Sequence, residues 1–190
     1  MGILGVGSGV LTSLGAVGFS PEVLAQFAGV AGIGGLIGTL IGRRVTATEL
    51  PQTVALLHSI VGLAAVLTSI GSVLQDTAHL SMLHMVTAYL GVVIGGVTFT
   101  GSIVAFLKLA AKMSSKPLNL PGKHLINVSL LGANFAAMAG FLTATPTPAI
   151  AASFLGASTV LSFLKGYTTT AAIGGADMRK LSNNDQDFLA

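Results

Sequence analysis

Residues 53–74 read TVALLHSIVGLAAVLTSIGSVL, an uncharged run that contains one histidine, His58. The run is long enough for a membrane-spanning helix, which needs about 20 apolar residues to cross the hydrocarbon core. In a soluble protein, His58 would be a core side chain bonded to a carbonyl group. In a membrane helix, an ionisable residue is costly and therefore marks a functional site by default. The solvent around this run thus decides both the fold and the meaning of His58.

The composition of the chain favours a membrane protein. Hydrophobic residues make up 52% of the sequence and charged residues only 8%, and the mean hydropathy is +0.85. Globular proteins carry about 25% charged residues, and so few charges are not enough to cover a soluble surface of this size. We therefore predict an all-α, polytopic transmembrane helix bundle. The sequence has no cysteine, which excludes disulfides and thiolate metal sites.

Six uncharged runs, bounded by charges or prolines, predict about six transmembrane helices. The motif TATPTPA at 143–149 separates the last two, because proline cannot continue a helix. The predicted organisation is a transmembrane domain over residues 1–176 and a polar tail over 177–190. The six runs lie at 1–19, 23–42, 52–75, 85–107, 125–144 and 149–172.

The basic residues are distributed unevenly between the two sides of the predicted bundle. With six spans, all nine Lys and Arg residues follow even-numbered spans or lie towards that side, and the opposite loops have none. Basic residues concentrate on the cytoplasmic side of membranes or its mitochondrial equivalent, so both termini are expected in the cytoplasm or the matrix. The basic character of the chain thus reflects topology, and we expect no nucleic acid partner. The start of the sequence also lacks the basic leader of a secretory signal.

Glycines recur at four-residue intervals in two of the predicted spans. One set consists of Gly34, Gly38 and Gly42, and the other of Gly91 and Gly95. Small residues at this spacing lie on one helix face and let neighbouring helices approach closely. We predict that both sets are helix-packing surfaces.

Three interpretations of His58 follow from its position alone. It is a structural hydrogen-bonding residue, a metal ligand, or a proton-relay group of the kind that histidine forms near neutral pH. The metal interpretation is the weakest, because the other histidines lie near loops and no HxxxH pair shares a face. The structural and proton-relay interpretations remain equally open at this point.

Two asparagines and one lysine inside predicted spans are the next most costly polar residues there. Asn127 and Asn134 are expected to bond across helices, since an unpaired amide in hydrocarbon is costly. Lys165 falls about a turn and a half inside the last span, and we expect its ammonium group to extend to the basic side. None of these residues identifies a reaction.

Four long motifs identify a family resemblance. They are LPQTVALLHSIVGLAAVL (50–67), GGVTFTGSIVAF (95–106), SSKPLNLPGKH (114–124) and AAIGGADM (171–178). In order and spacing they resemble the membrane domain of proton-translocating NAD(P)+ transhydrogenase. The resemblance extends from about residue 2 to Met178.

The resemblance implies a role for two residues and a place for the cofactors. In that family the membrane domain couples proton passage to hydride transfer between NADH and NADP+, which are bound by two soluble domains. His58 matches the family's proton-channel histidine. Asp177 matches an aspartate near the contact with the NADP(H)-binding domain. No cofactor is therefore expected on this chain itself, and NAD(H) and NADP(H) are expected only on partner domains.

The sequence departs from the family pattern at three places. Leu107 replaces a glycine, Lys165 replaces an uncharged residue, and the chain continues after GGADM with RKLSNNDQDFLA instead of further transmembrane helices. The first hypothesis is a truncated homologue that serves as an accessory subunit of a larger, respiratory complex of the mitochondrial inner membrane. It would perform no hydride transfer alone and would form a hetero-oligomer with other membrane subunits. The alternative is the proton-channel segment of a working transhydrogenase whose nucleotide domains are on other chains, and a stand-alone transporter is a weaker third.

Overall fold

The computed structural model describes residues 2–75, 77, 79–145 and 147–174, and these fold into helices joined by turns, with no strand among them. Five of the helices are long and apolar enough to cross a membrane, and the first, with 16 residues, is shorter. The prediction of an all-α transmembrane bundle is thus confirmed. The helices are α1 (Gly2–Val17), α2 (Pro21–Gly42), α3 (Leu50–Gln75), α4 (Met82–Leu109), α5 (Lys123–Thr143) and α6 (Pro148–Ala171).

The helix boundaries follow from capping residues in the sequence. Ser20 and Thr147 accept hydrogen bonds from the first-turn amides of α2 and α6, and each is followed by a proline at the first helical position. Ser81 caps α4 in the same way. A hydroxyl at this position satisfies an otherwise unpaired amide, and proline has no amide to satisfy there. The break predicted at 143–149 thus lies where α5 ends and α6 begins.

The chain divides into two compact units, Met1–Val45 and Thr46–Ala190. The first unit contains α1 and α2, which are joined through Gly18, whose φ is +99°. None of the described residues of α2 is buried. Most of the apolar surface of α2 is therefore exposed.

The second unit is a bundle of α3, α4, α5 and α6 in which consecutive helices run antiparallel. From Gly62 to Ser69 along α3, the contacts shift to earlier residues of α4, so these two helices are antiparallel. From Thr100 to Lys108 along α4, the hydrogen bonds shift to later residues of α6 or just beyond it. Helices α4 and α6 are therefore parallel to each other. The start of α3, the end of α4, the start of α5 and the end of α6 thus meet at one end, which we call the basic end.

The apolar core of this bundle lies towards the opposite end. Tyr89 and Phe141 are its largest members, with ring centroids 5.9 Å apart. Val73 of α3 and Leu155 of α6 complete the contact and are fully buried. Dispersion contacts of this kind hold membrane helices together, because apolar side chains gain no hydrophobic free energy when they move from lipid into a helix contact.

Candidate functional site

His58 lies on α3 about 12 Å from the start of the helix, eight residues at 1.5 Å each. Its Nδ1 is 2.9 Å from the backbone oxygen of Val54, one turn earlier. A carbonyl oxygen only accepts hydrogen bonds, so Nδ1 must carry the hydrogen, and in a neutral ring Nε2 then keeps its lone pair. Among the described residues, Nε2 has no hydrogen-bond partner. The local backbone therefore holds the ring in one tautomer with a basic nitrogen directed away from it.

The surroundings of His58 on the surface of this unit are apolar. The imidazole is exposed, as are the neighbouring side chains Val54 and Val61, which are 41% and 66% exposed. The buried side of α3 begins one residue later, at Ser59 and Gly62. An ionisable group facing lipid is costly, and such residues in membrane proteins face protein or a water-filled cavity. The geometry thus indicates that further protein or water covers this face of α3.

Close backbone contact joins α3 to α4 behind His58. A Cβ atom added at Gly62 would lie 2.7 Å from the amide nitrogen of Phe99, and one at Gly95 would lie 2.6 Å from the backbone oxygen of Gly62. One turn further along, Gly91 lies directly against the hydroxyl of Ser69. The second predicted glycine set therefore lies at a helix contact, which fixes the position of α3 relative to α4.

The first predicted glycine set lies in open space. Around Gly34, Gly38 and Gly42, no described atom comes within 4 Å of a Cβ added there. These three residues are on α2, which has no buried residue of its own. Their role in helix packing stays a prediction, and it would require a helix from outside the first unit.

The two asparagines of α5 make the cross-helix bonds that the sequence predicts. The Oδ1 of Asn134 accepts a hydrogen bond of 2.9 Å from the hydroxyl of Ser158, and its backbone oxygen accepts one of 2.9 Å from Tyr89. The Oδ1 of Asn127 accepts a bond of 2.8 Å from Thr168. These contacts tie α5 to α4 and α6, and none reaches His58. The asparagines therefore stabilise the bundle, and they are separate from the candidate proton site.

Sequence reasoning missed the role of Lys108 at the basic end. This residue counts towards the positive charge of that side, yet only 3% of it is exposed. Its Nζ donates to the backbone oxygens of Ala171 and Ile173 at 2.8 and 2.5 Å. Carbonyls at the end of a helix lack helical partners, and a cation there also interacts favourably with the helix dipole. The one available signal was the position of the lysine in the last turn of α4, next to an uncharged run.

Of the two remaining predicted residues, Lys165 is among the described residues and Asp177 is not. Lys165 of α6 is half-buried, and its Nζ lies 3.4 Å from the backbone oxygen of Asn127. Asp177 and the predicted tail over 177–190 lie outside the described residues. In the part of the chain that is described, no three His, Cys, Asp or Glu residues form a group that could hold a metal ion.

Fold and site together define a multi-pass membrane protein with an ionisable residue on an otherwise apolar helix face. The profile of one family, described as NAD(P) transhydrogenase beta subunit, matches residues 1–180. The chain belongs to this family.

Two curated relatives give the extent of the similarity. The NAD(P) transhydrogenase subunit beta of Rhodospirillum rubrum is 36% identical to this chain over 188 residues. A second Rhodospirillum rubrum protein with the same description gives the same identity over the same length. Each comparison covers 94% of this chain and 38% of the relative, so the chain spans well under half the length of these relatives.

Proposed function

We propose that this chain forms part of the proton pathway of a proton-translocating NAD(P)+ transhydrogenase, with His58 as the group that takes up and releases the proton. The observation that carries the proposal is the free Nε2 of His58, held on a face of α3 that needs a covering surface. Family membership supports the reaction class. Once this face is covered, a histidine with a purely structural role would have both ring nitrogens bonded, because an unused acceptor has a cost when it is buried.

The geometry of the ring determines how a proton would pass. Because Nδ1 is bound to the backbone oxygen of Val54, a proton arriving from the pathway would add to Nε2 and give an imidazolium ion. The same nitrogen must then release the proton to a different acceptor, since the hydrogen on Nδ1 stays there and is donated to the backbone oxygen of Val54. Net transfer therefore requires that donor and acceptor groups on the covering surface reach Nε2 alternately. Conformational change in the assembly would supply that alternation.

Hydride transfer would take place on other domains. In this proposal NAD(H) and NADP(H) bind to partner domains or chains, and this chain contributes only the membrane segment. Asp177 would lie near the contact with the NADP(H)-binding domain. The assembly would be a hetero-oligomer in the lipid bilayer. We place it in the mitochondrial inner membrane, with both termini on the basic, matrix side, in line with the distribution of basic residues.

A second candidate is a structural role as an accessory subunit of a respiratory complex in the same membrane. Two departures from the family pattern favour it, Leu107 for a glycine and Lys165 for an uncharged residue. Lys165 lies within α6 and contacts α5, which is consistent with a changed interaction surface. In this role His58 would be covered by a neighbouring subunit without carrying protons.

The two candidates are separated by isolating the chain with its partners in mild detergent. We expect nucleotide-binding subunits in the eluate and transfer from NADPH to an NAD+ analogue that is coupled to proton uptake in vesicles. His58→Ala should lower the coupled rate at least a hundredfold, as loss of an essential proton-transfer group does. His124→Ala, the same change at an exposed residue in the first turn of α5, should leave the rate unchanged. Respiratory-complex subunits without transhydrogenation would establish the accessory role instead.

A further inference from the structure

Lys165 is a cation inside a membrane helix, and the described residues do not satisfy the hydrogen-bonding capacity of its ammonium group. An ammonium group has three donors. In the described residues, the only acceptor for this group is the backbone oxygen of Asn127, at a long 3.4 Å. No described carboxylate forms an ion pair with Lys165. The contrast with Lys108 is clear, since that lysine has two short bonds to carbonyls.

The position of Lys165 brings its charge towards the membrane surface at the basic end. It lies six residues before the end of α6, and Asn127 lies four residues after the start of α5, which is about 6 Å along the helix. Lys123 begins α5 and is on the same helix face as Asn127, one turn closer to the surface. Both helices of the α5–α6 contact thus carry a lysine in their portion nearest the basic end.

The surface beside this lysine pair is apolar. Leu164 and Val128, the chain neighbours of Lys165 and Asn127, are 50% and 66% exposed. Two lysines near one end of a pair of membrane helices, next to exposed apolar helix surface, match an anionic phospholipid, whose phosphate and acyl chains have the complementary arrangement. A soluble anion would interact with the charge alone, whereas one anionic phospholipid interacts with both the charge and the apolar surface.

We propose that Lys165 and Lys123 bind the phosphate of an anionic phospholipid in the leaflet at the basic end, with its acyl chains against α5 and α6. The phosphate oxygens would accept the free donors of Lys165 while Asn127 holds the side chain in place. The site is independent of any proton pathway, because none of its residues contacts His58.

The test is native mass spectrometry of the full chain titrated with phosphatidylglycerol or phosphatidylcholine. We expect phosphatidylglycerol to bind more tightly, and Lys165→Met to weaken its first binding step about fivefold, the size expected for one lysine near a charged headgroup. Phosphatidylcholine binding should not change. Lys165→Arg should retain the preference. Lys116→Met, the same change at an exposed loop lysine on the same side, should also retain it.

Three results would overturn the proposal. An equal loss in Lys116→Met would mean diffuse attraction by surface charge, and an unchanged preference in Lys165→Met would mean that the lysine takes no part. Displacement of the lipid by millimolar inorganic phosphate would identify a soluble-anion site. A second measurement does not depend on a folded variant: phosphatidylglycerol should protect Lys165 of the unaltered chain from acylation more than it protects Lys116, and equal labelling would contradict the proposal.

Discussion

At the scale of single residues, Lys108 and Lys165 show how partners decide the role of the same side chain. Lys108 is almost fully buried and donates to two backbone oxygens, one in the last residue of α6 and one just beyond it. Lys165 is half-buried and has one long contact. A buried cation that loses its hydrogen bonds is costly, so the two bonds of Lys108 should be kept in the folded state. We infer that Lys108 holds the end of α6 in place.

Lys108→Met should destabilise the second unit by about 2 kcal/mol, because the oxygens of Ala171 and Ile173 lose a charged donor. The measurement is unfolding in detergent micelles, followed by circular dichroism. Lys116→Met removes the same charge from an exposed loop residue after α4 and should change the stability by less than about 0.5 kcal/mol. Equal effects of both variants would mean that charge alone, and not the bonds to α6, stabilises this end.

At the scale of helices, α3 and α4 approach closely because the glycines at their contact have no side chain. Gly62 and Gly95 bring the two backbones so close that a Cβ atom at either would overlap backbone atoms, which cannot rotate away. The α5–α6 contact is different in kind, because Asn134 and Ser158 join the helices by a buried hydrogen bond. Dispersion along a glycine surface and hydrogen bonding between polar side chains are the two main ways that helices associate in lipid.

Gly62→Ala should separate α3 from α4 and lower the stability by about 1–3 kcal/mol, the usual effect of overpacking. Unfolding in micelles measures the loss. Gly71→Ala is the matched control on the same helix, because no described atom lies within 4 Å of a Cβ added there. Alanine also forms helix better than glycine by about 1 kcal/mol, so the control should be as stable as the unaltered chain or more so. A destabilised Gly71→Ala with an unaffected Gly62→Ala would refute the role of the contact.

At the scale of the whole molecule, large apolar surfaces are left exposed by the chain. In the second unit, the face of α3 around His58 includes Val61, which is 66% exposed, and the opposite side of the helix includes Leu67, which is 62% exposed. Lipid covers an apolar face without cost, but it does not satisfy an imidazole. The two faces should therefore differ in what covers them once the chain is part of an assembly.

This difference can be measured because the chain has no cysteine of its own. We expect a nitroxide on Val61→Cys to be accessible to oxygen when the chain alone is in vesicles, and protected several-fold in the purified assembly. A nitroxide on Leu67→Cys should be equally accessible in both. Electron paramagnetic resonance measures the accessibility. Unchanged accessibility at Val61 would mean that no partner covers the His58 face, and it would contradict the proposed proton pathway as well as the accessory role.

The sequence by itself determined the fold class, the positions of the six helices and the family. These follow from local properties: the length of uncharged runs, the capping serines and threonine, and the prolines within TATPTPA. It also indicated that Asn127 and Asn134 bond across helices, because an amide in hydrocarbon needs a partner wherever that partner lies.

Only the tertiary structure decided which helices meet and which polar groups have partners among the described residues. Lys108 is buried against α6, while Lys165 has one long contact among the described residues, and these contacts join residues 63 and 38 positions apart in the chain. Similarly, hydropathy placed His58 in a membrane helix, but the free Nε2 and the exposed face follow from the packing of α3 on α4. The physical reason is that hydropathy and capping act within one helix, whereas burial and hydrogen-bond partners depend on how neighbouring helices are oriented and how closely they approach.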